Sequence, residues 1–132
     1  MFTTEVCEFL KKPSIARMST IDGYGYPHTV PLWFDVEGDD IVIISDRNTR
    51  KIEHIARNPK GNVQIGGDAG DGGGYLFKGE LSVEADTDYR WLKQVTRRYE
   101  ASEQAEKDIE LWMTTLDMII IRLKVKRVIK VY

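Results

Sequence analysis

The 132-residue chain has one cysteine, Cys7, and two histidines, His28 and His54. A lone cysteine forms no internal disulfide and no CxxC pair, which fits a reducing, cytoplasmic setting. Two histidines without clustered cysteines leave a dedicated metal site without ligands, so none is expected. Long apolar runs are missing too. A stretch such as Met118 to Ile121 falls far short of the ~20 residues of a membrane helix, and no membrane association is expected. No basic flank leads into an apolar segment near Met1, so no secretory signal is visible. The formal net charge of −2 lacks the basic excess of a nucleic-acid binder. There is no Gly-x-Ser-x-Gly elbow and no spaced carboxylate pair, so no catalytic side chain is assigned. What is present is a chain 42% hydrophobic and 30% charged, enough for a real core in one domain over residues 1–132.

Periodicity gives a coarse order of elements. Val6, Phe9 and Leu10 fall at helical spacing after Thr3 or Thr4, and Pro13 stops that helix; Cys7 reads as packed among its neighbours. Residues 14–21 alternate as a strand, Asp22 to Gly25 turn, and residues 27–36 form a second extended run with Pro31 inside it. Residues 40–45 (DIVIIS) are a β-branched run typical of a buried central strand. Such quick succession predicts antiparallel hairpins. A short helix follows, capped by Asn48 or Thr49, with Ile52, Ile55 and Ala56 on one face and His54 at the surface, ending at Asn58-Pro59. Asn62 to Ile65 is a strand. Six glycines in the nine positions 66–74 make a flexible hairpin loop, which has neither the Lys-Ser/Thr closure nor the GxGxxG pattern of a phosphate loop. Residues 75–85 form another strand. Helical spacing then runs from Leu92 to Tyr99 and, after a break near Ala101-Ser102, from Ala105 to Leu116. Residues 117–132 return to strand, with a kink at Val128 and Ile129. The expected class is α+β, mainly β: a six-stranded antiparallel barrel with flanking helices.

One segment stands out chemically. From Asp46 to Lys60 five basic residues face two acidic ones, and residues 45–51 (SDRNTRK) join a buried strand to a helix start. Helix N-termini attract anions through unpaired amides and the macrodipole. Arg50 and Lys51 in the first turn oppose that dipole unless a phosphate or carboxylate sits with them. The alternative is a solvated basic turn paired with Asp46 or Glu53. Among the aromatics, Trp33 and Phe34 are consecutive and cannot both face inward from one strand. One of them must therefore meet a second sheet, a partner subunit or a ligand. Trp91 and Tyr99 read as core.

Residues 26–34 (YPHTVPLWF), a Gly-Asp turn, Ile41 to Ser45, Thr49-Arg50-Lys51 and Arg57-Asn58-Pro59 together resemble the pyridoxamine 5′-phosphate oxidase-like superfamily. Those proteins are split β-barrel flavoproteins that include deazaflavin-dependent reductases. The resemblance implies a homodimer with FMN, or the deazaflavin coenzyme F-420, at the subunit interface and a small-molecule substrate. It implies that Arg50 and Lys51 hold the cofactor phosphate beside Ser45 and Thr49. It further implies that Val30, Pro31 and Leu32 pass along the flavin ring, with His28 near the ligand and Arg47 as an extra cation for an anionic tail. His28 stands where the true oxidases carry an arginine and Trp33 where they carry a lysine, which weakens the case for pyridoxamine phosphate oxidation itself. The expected function is a flavin-dependent oxidoreductase that transfers a hydride, the alternative being a non-catalytic flavin or haem carrier or sensor. Trp112 or the Gly-rich loop could close the site from the partner chain.

Overall fold

The computed structural model describes residues 1–131; Tyr132, counted with the last strand by sequence, lies outside the described residues. Helix α1 (Thr4–Leu10) starts where Thr3 accepts a hydrogen bond from the Val6 amide at 3.2 Å. It buries Val6 and Leu10. Cys7 is exposed rather than packed, because it points away from that buried face.

Seven strands follow, not six: β1 (Ala16–Ile21), β2 (Pro27–Leu32), β3 (Phe34–Glu37), β4 (Asp40–Asp46), β5 (Lys60–Gly66), β6 (Gly74–Ala85) and β7 (Met118–Val131). The extra strand comes from the second extended run, which splits at Trp33. Its first half pairs with β1 and its second half with β4, both antiparallel. The sheet order is β2-β1-β5-β6-β7-β4-β3. Its two edge strands are therefore joined by one residue, and a sheet whose edges are that close must curl back on itself.

Alternation decides which side chains face inward. Ala16, Met18 and Thr20 on β1 have no exposure. They lie opposite Leu32, Val30 and His28 on β2, so these three point to the same interior side. Strand β4 and the first part of β7, Ile119 to Ile121, are buried on both faces. Ile41, Ile43, Ile119, Ile121 and Leu123 join the interior core, while Val42, Ile44 and Ile120 pack outward against Trp91, Leu92 and Val95 of α3 (Arg90–Tyr99). That double burial explains their unbroken apolar runs. Asp86 starts α3 by accepting the Trp91 and Leu92 amides, both at 2.9 Å. Helix α4 (Ser102–Thr115) follows after the expected break. Strand β7 is continuous. Its irregularity is a bulge where the β6 register shifts between Lys78 and Gly79, opposite Arg127 and Val125, rather than a kink at Val128 and Ile129. The Gly-rich segment does close the β5–β6 hairpin, with Gly66 paired to Gly74. Among the described residues no helix is long and apolar enough to cross a membrane.

Helix α2 (Arg50–Arg57) packs over β1 and β6. It buries Lys51, His54 and Ile55, at i, i+3 and i+4, while Ile52 is half-buried and Ala56 exposed. The sequence reading had the helix right and its rotation wrong. His54 is 8% exposed, because Thr20 gives it a buried hydrogen-bond partner.

Candidate functional site

The turn that leaves β4 is knotted by short polar contacts. Ser45, itself buried, donates to the Asp46 carbonyl at 3.0 Å, and the Thr49 hydroxyl donates to the same oxygen at 3.1 Å. One Asp46 carboxylate oxygen accepts the Asn48 amide at 3.2 Å and the Asp117 amide at 3.3 Å. Thr49 is the N-cap residue of α2 in extended conformation, but its side chain makes no capping bond. The first-turn amides of α2 are thus without a side-chain acceptor, which is the condition under which a helix start attracts an anion.

The Arg50–Lys51 pair divides at this point. Lys51 is only 9% exposed and forms no ion pair among the described residues; burial pushes its ammonium below the ordinary lysine range, and Asp46 opposes that shift only in part. A buried cation without a partner is costly, and an anion beside it reverses the cost. Arg50 is exposed and lines two recesses. One, of about 400 Å³, is bounded by Arg47, Thr49 and Glu53. The other, of about 470 Å³, is bounded by the β1–β2 turn, His28, His54 and Arg57. Arg47, at the same turn, is exposed and its guanidinium pairs with Asp117 at 3.0 Å.

On β2, His28, Val30 and Leu32 are half-buried and Thr29 and Pro31 exposed. Pro31 and Leu32 line an apolar recess of about 310 Å³ with Trp33, Ile44, Trp112 and Met118, and Asp46 is its one charged lining residue. Phe34 is fully buried, so Trp33 is the outward member of the pair. Its ring stacks on Tyr99 at 4.9 Å, nearly parallel, with Trp112 tilted 6.1 Å away. Tyr99 backs Trp33 and packs against the core; its hydroxyl accepts the Phe34 amide and donates to the Ser14 carbonyl.

Ser45, Thr49, Arg50 and Lys51 therefore gather around the start of α2, His28 lies in the polar recess against His54 and with Arg50, Pro31 and Leu32 line the apolar recess, and Val30 sits between His28 and Leu32 on β2. The residues that sequence reasoning left out are Asp22, Glu53, His54 and Arg57 around the polar cavity and Met118 in the apolar one. The i, i+3 spacing of Lys51 and His54 was the signal for His54. Arg57 stood in the Arg57-Asn58-Pro59 motif of the family resemblance, and the others meet only through the fold.

The model of the family described as pyridoxamine 5′-phosphate oxidase matches residues 2–132. The chain belongs to that family. No curated protein matches it in sequence. Among solved structures, an F420 reductase superposes with a TM-score of 0.73 at 16% identity, over 92% of this chain and 94% of that one. A conserved hypothetical protein from Mycobacterium tuberculosis gives 0.77 at 20% identity, over 98% and 84%. HutZ, the haem storage protein of Vibrio cholerae, gives 0.70 at 17% identity, over 95% and 91%. At these identities the likeness shows a shared fold.

Proposed function

We propose that the chain is a flavin-dependent oxidoreductase that holds FMN along β2 and transfers a hydride to or from a small molecule at the interface of a homodimer. The observation that carries this reading is Lys51, a nearly buried cation with no ion pair among the described residues, in the first turn of a helix whose N-cap Thr49 makes no capping bond. The spacing supports it. From His28, in the recess that Arg50 also lines, to Leu32, at the apolar recess, the strand runs four residues, about 13 Å. A molecule with a phosphate at one end and a flat ring at the other suits that span. Arg50, Lys51, Ser45 and Thr49 would hold the phosphate, and Val30, Pro31, Leu32 and Trp33 would flank the ring. When bound, the flavin supplies the hydride chemistry, so the protein needs to bind, orient and exclude water rather than offer a nucleophile. FMN is taken as the cofactor, with the deazaflavin F-420 as the alternative that the titration below distinguishes.

Fluorescence titration of the apoprotein with FMN and with F-420 tests the cofactor: saturable, tighter FMN binding is expected, and failure to bind either overturns the proposal. Reduction of the loaded protein by NAD(P)H, then reoxidation by an added acceptor, separates an oxidoreductase from a flavin carrier.

A further inference from the structure

The apolar recess carries one charged side chain, and its charge is negative. At about 310 Å³ the recess lies at the small end of organic-ligand pockets. Its aromatic lining comes from two places in the chain, Trp33 after β2 and Trp112 on α4, and Asp46 lines it beside Met118. Asp46 and Met118 are partners in the β4–β7 ladder, so their side chains leave the sheet on one face, which Ile44 shares.

The two indoles give the recess a flat, firm wall. Trp33 stacks on Tyr99 at 4.9 Å, and Tyr99 is tied in turn to the Phe34 amide and the Ser14 carbonyl. Trp112 stands 6.1 Å from Trp33, inclined by 58°. Indole faces attract cations through the ring quadrupole, and a carboxylate beside them adds a full charge of the same sign. No cation lines the recess to cancel it. One Asp46 oxygen accepts the Asn48 and Asp117 amides, and the carboxylate forms no ion pair among the described residues. The neighbouring Arg47 is paired with Asp117 instead. Lys51 feels Asp46, but that attraction offsets only part of the penalty of its burial. An anionic ligand would therefore meet an uncancelled carboxylate, and a cationic one would complete the set.

We propose that the apolar recess is the substrate pocket of the flavin site and selects organic cations with a flat apolar body, Asp46 supplying the charge and Trp33 and Trp112 the aromatic wall. That the occupant is a substrate rests on the flavin reading above; that it is a cation rests on the recess alone. Under that reading the flavin ring lies against Pro31 and Leu32, which leaves Trp112, Met118 and Asp46 to the second reactant. A phosphate on Lys51 removes the partial counter-charge of Asp46, so the FMN-loaded protein holds a cation at least as tightly as the apoprotein.

Three probes that share one ring system separate charge from shape: naphthylmethylammonium, naphthylmethanol and naphthoate. In calorimetric titrations of the full chain the ammonium is expected to bind about tenfold more tightly than the alcohol, with the carboxylate weakest. D46N is expected to bring the ammonium down to the affinity of the alcohol. Unchanged binding of the alcohol by D46N would show that the recess is intact. W112A is expected to weaken ammonium and alcohol alike, by about fivefold. Naphthoate binding as tight as that of the ammonium, an ammonium preference that survives in D46N, or unchanged affinities in W112A overturns the proposal. The ranking in the parent needs no variant, so it decides the ligand class even where D46N fails to fold. On FMN-loaded protein, ammonium binding that is kept or strengthened supports a substrate beside the flavin. Its loss would mean that the flavin ring fills the recess, and the substrate assignment falls. Failure to bind FMN sinks the flavin reading, and the ranking of the three probes still decides whether the recess is a cation site.

Discussion

Lys51 is the residue where folding and function pull in different directions. Its ammonium lies on the face that α2 packs against the sheet, one turn before His54, and burial disfavours its charged form. A group placed for stability alone would be apolar at that position. Replacing Lys51 by Met keeps the length and the packing and removes the charge. The variant is expected to melt at the same temperature as the parent or slightly above it, while FMN affinity falls at least about tenfold, the scale of one charge-assisted hydrogen bond. Thermal melts beside fluorescence titrations check both halves. A collapse of stability with unchanged affinity would return Lys51 to a structural role. Glu100 shows the same tension with the opposite charge. One of its oxygens is buried without a partner, and desolvation, followed by the nearby Asp108 carboxylate, raises its pKa. A carboxyl raised in the folded chain is a cost above its folded pKa and none once both states are protonated. E100Q is therefore expected to raise the melting midpoint at pH 7, with the gain gone near pH 4. An equal gain at both pH values would count against the ionic cause.

At the scale of elements, the β6–β7 ribbon depends on Gly79. There β6 shifts register against β7, and a Cβ at that position would run into the backbone of Lys124. Overpacking against backbone cannot be relieved by a rotamer change, so G79A is expected to cost about 2–3 kcal/mol, read from the midpoint of urea unfolding. A change below a few tenths would mean that the bulge relaxes freely. Elements such as this mark the limit of what the sequence discloses. Strands β1 and β6 and helices α1, α3 and α4 were legible because their apolar residues repeat with one period, and β4 because its β-branched run is unbroken. The division at Trp33 was not, because a strand that leaves one sheet edge and joins the other keeps its alternation unbroken. The rotation of α2 was not, because Lys51 and His54, polar by type, lie on the face turned to the sheet, where the Thr20 hydroxyl of β1 meets His54. In the site, the 45–51 segment could be read because its chemistry is contiguous. The His28, His54 and Arg57 cavity could not, since it gathers residues from three elements.

For the whole molecule, the position of the apolar recess bears on assembly. It opens between the end of β2, Trp33 and the C-terminal part of α4. Beside it Leu111 is 51% and Leu116 41% exposed, while Trp112 is only half-buried. A ring lying against Pro31 and Leu32 in one chain would keep one face toward solvent, and a hydride exchanged there would be open to competing water and oxygen. A second copy covering Leu111 and Leu116 removes both problems, and a chain of this size can host a flavin by sharing the pocket. The protein is therefore expected to sediment at twice its chain mass. The double variant L111E/L116E is expected to sediment as a monomer, keep its circular dichroism spectrum, and bind FMN at least about tenfold more weakly, because a charge in the core of such an interface costs several kcal/mol. Since those two side chains are exposed in the single chain, their replacement spares its core, and lost affinity would trace to the lost partner. A parent that stays monomeric at micromolar concentration with FMN bound would show instead that one chain completes the site alone.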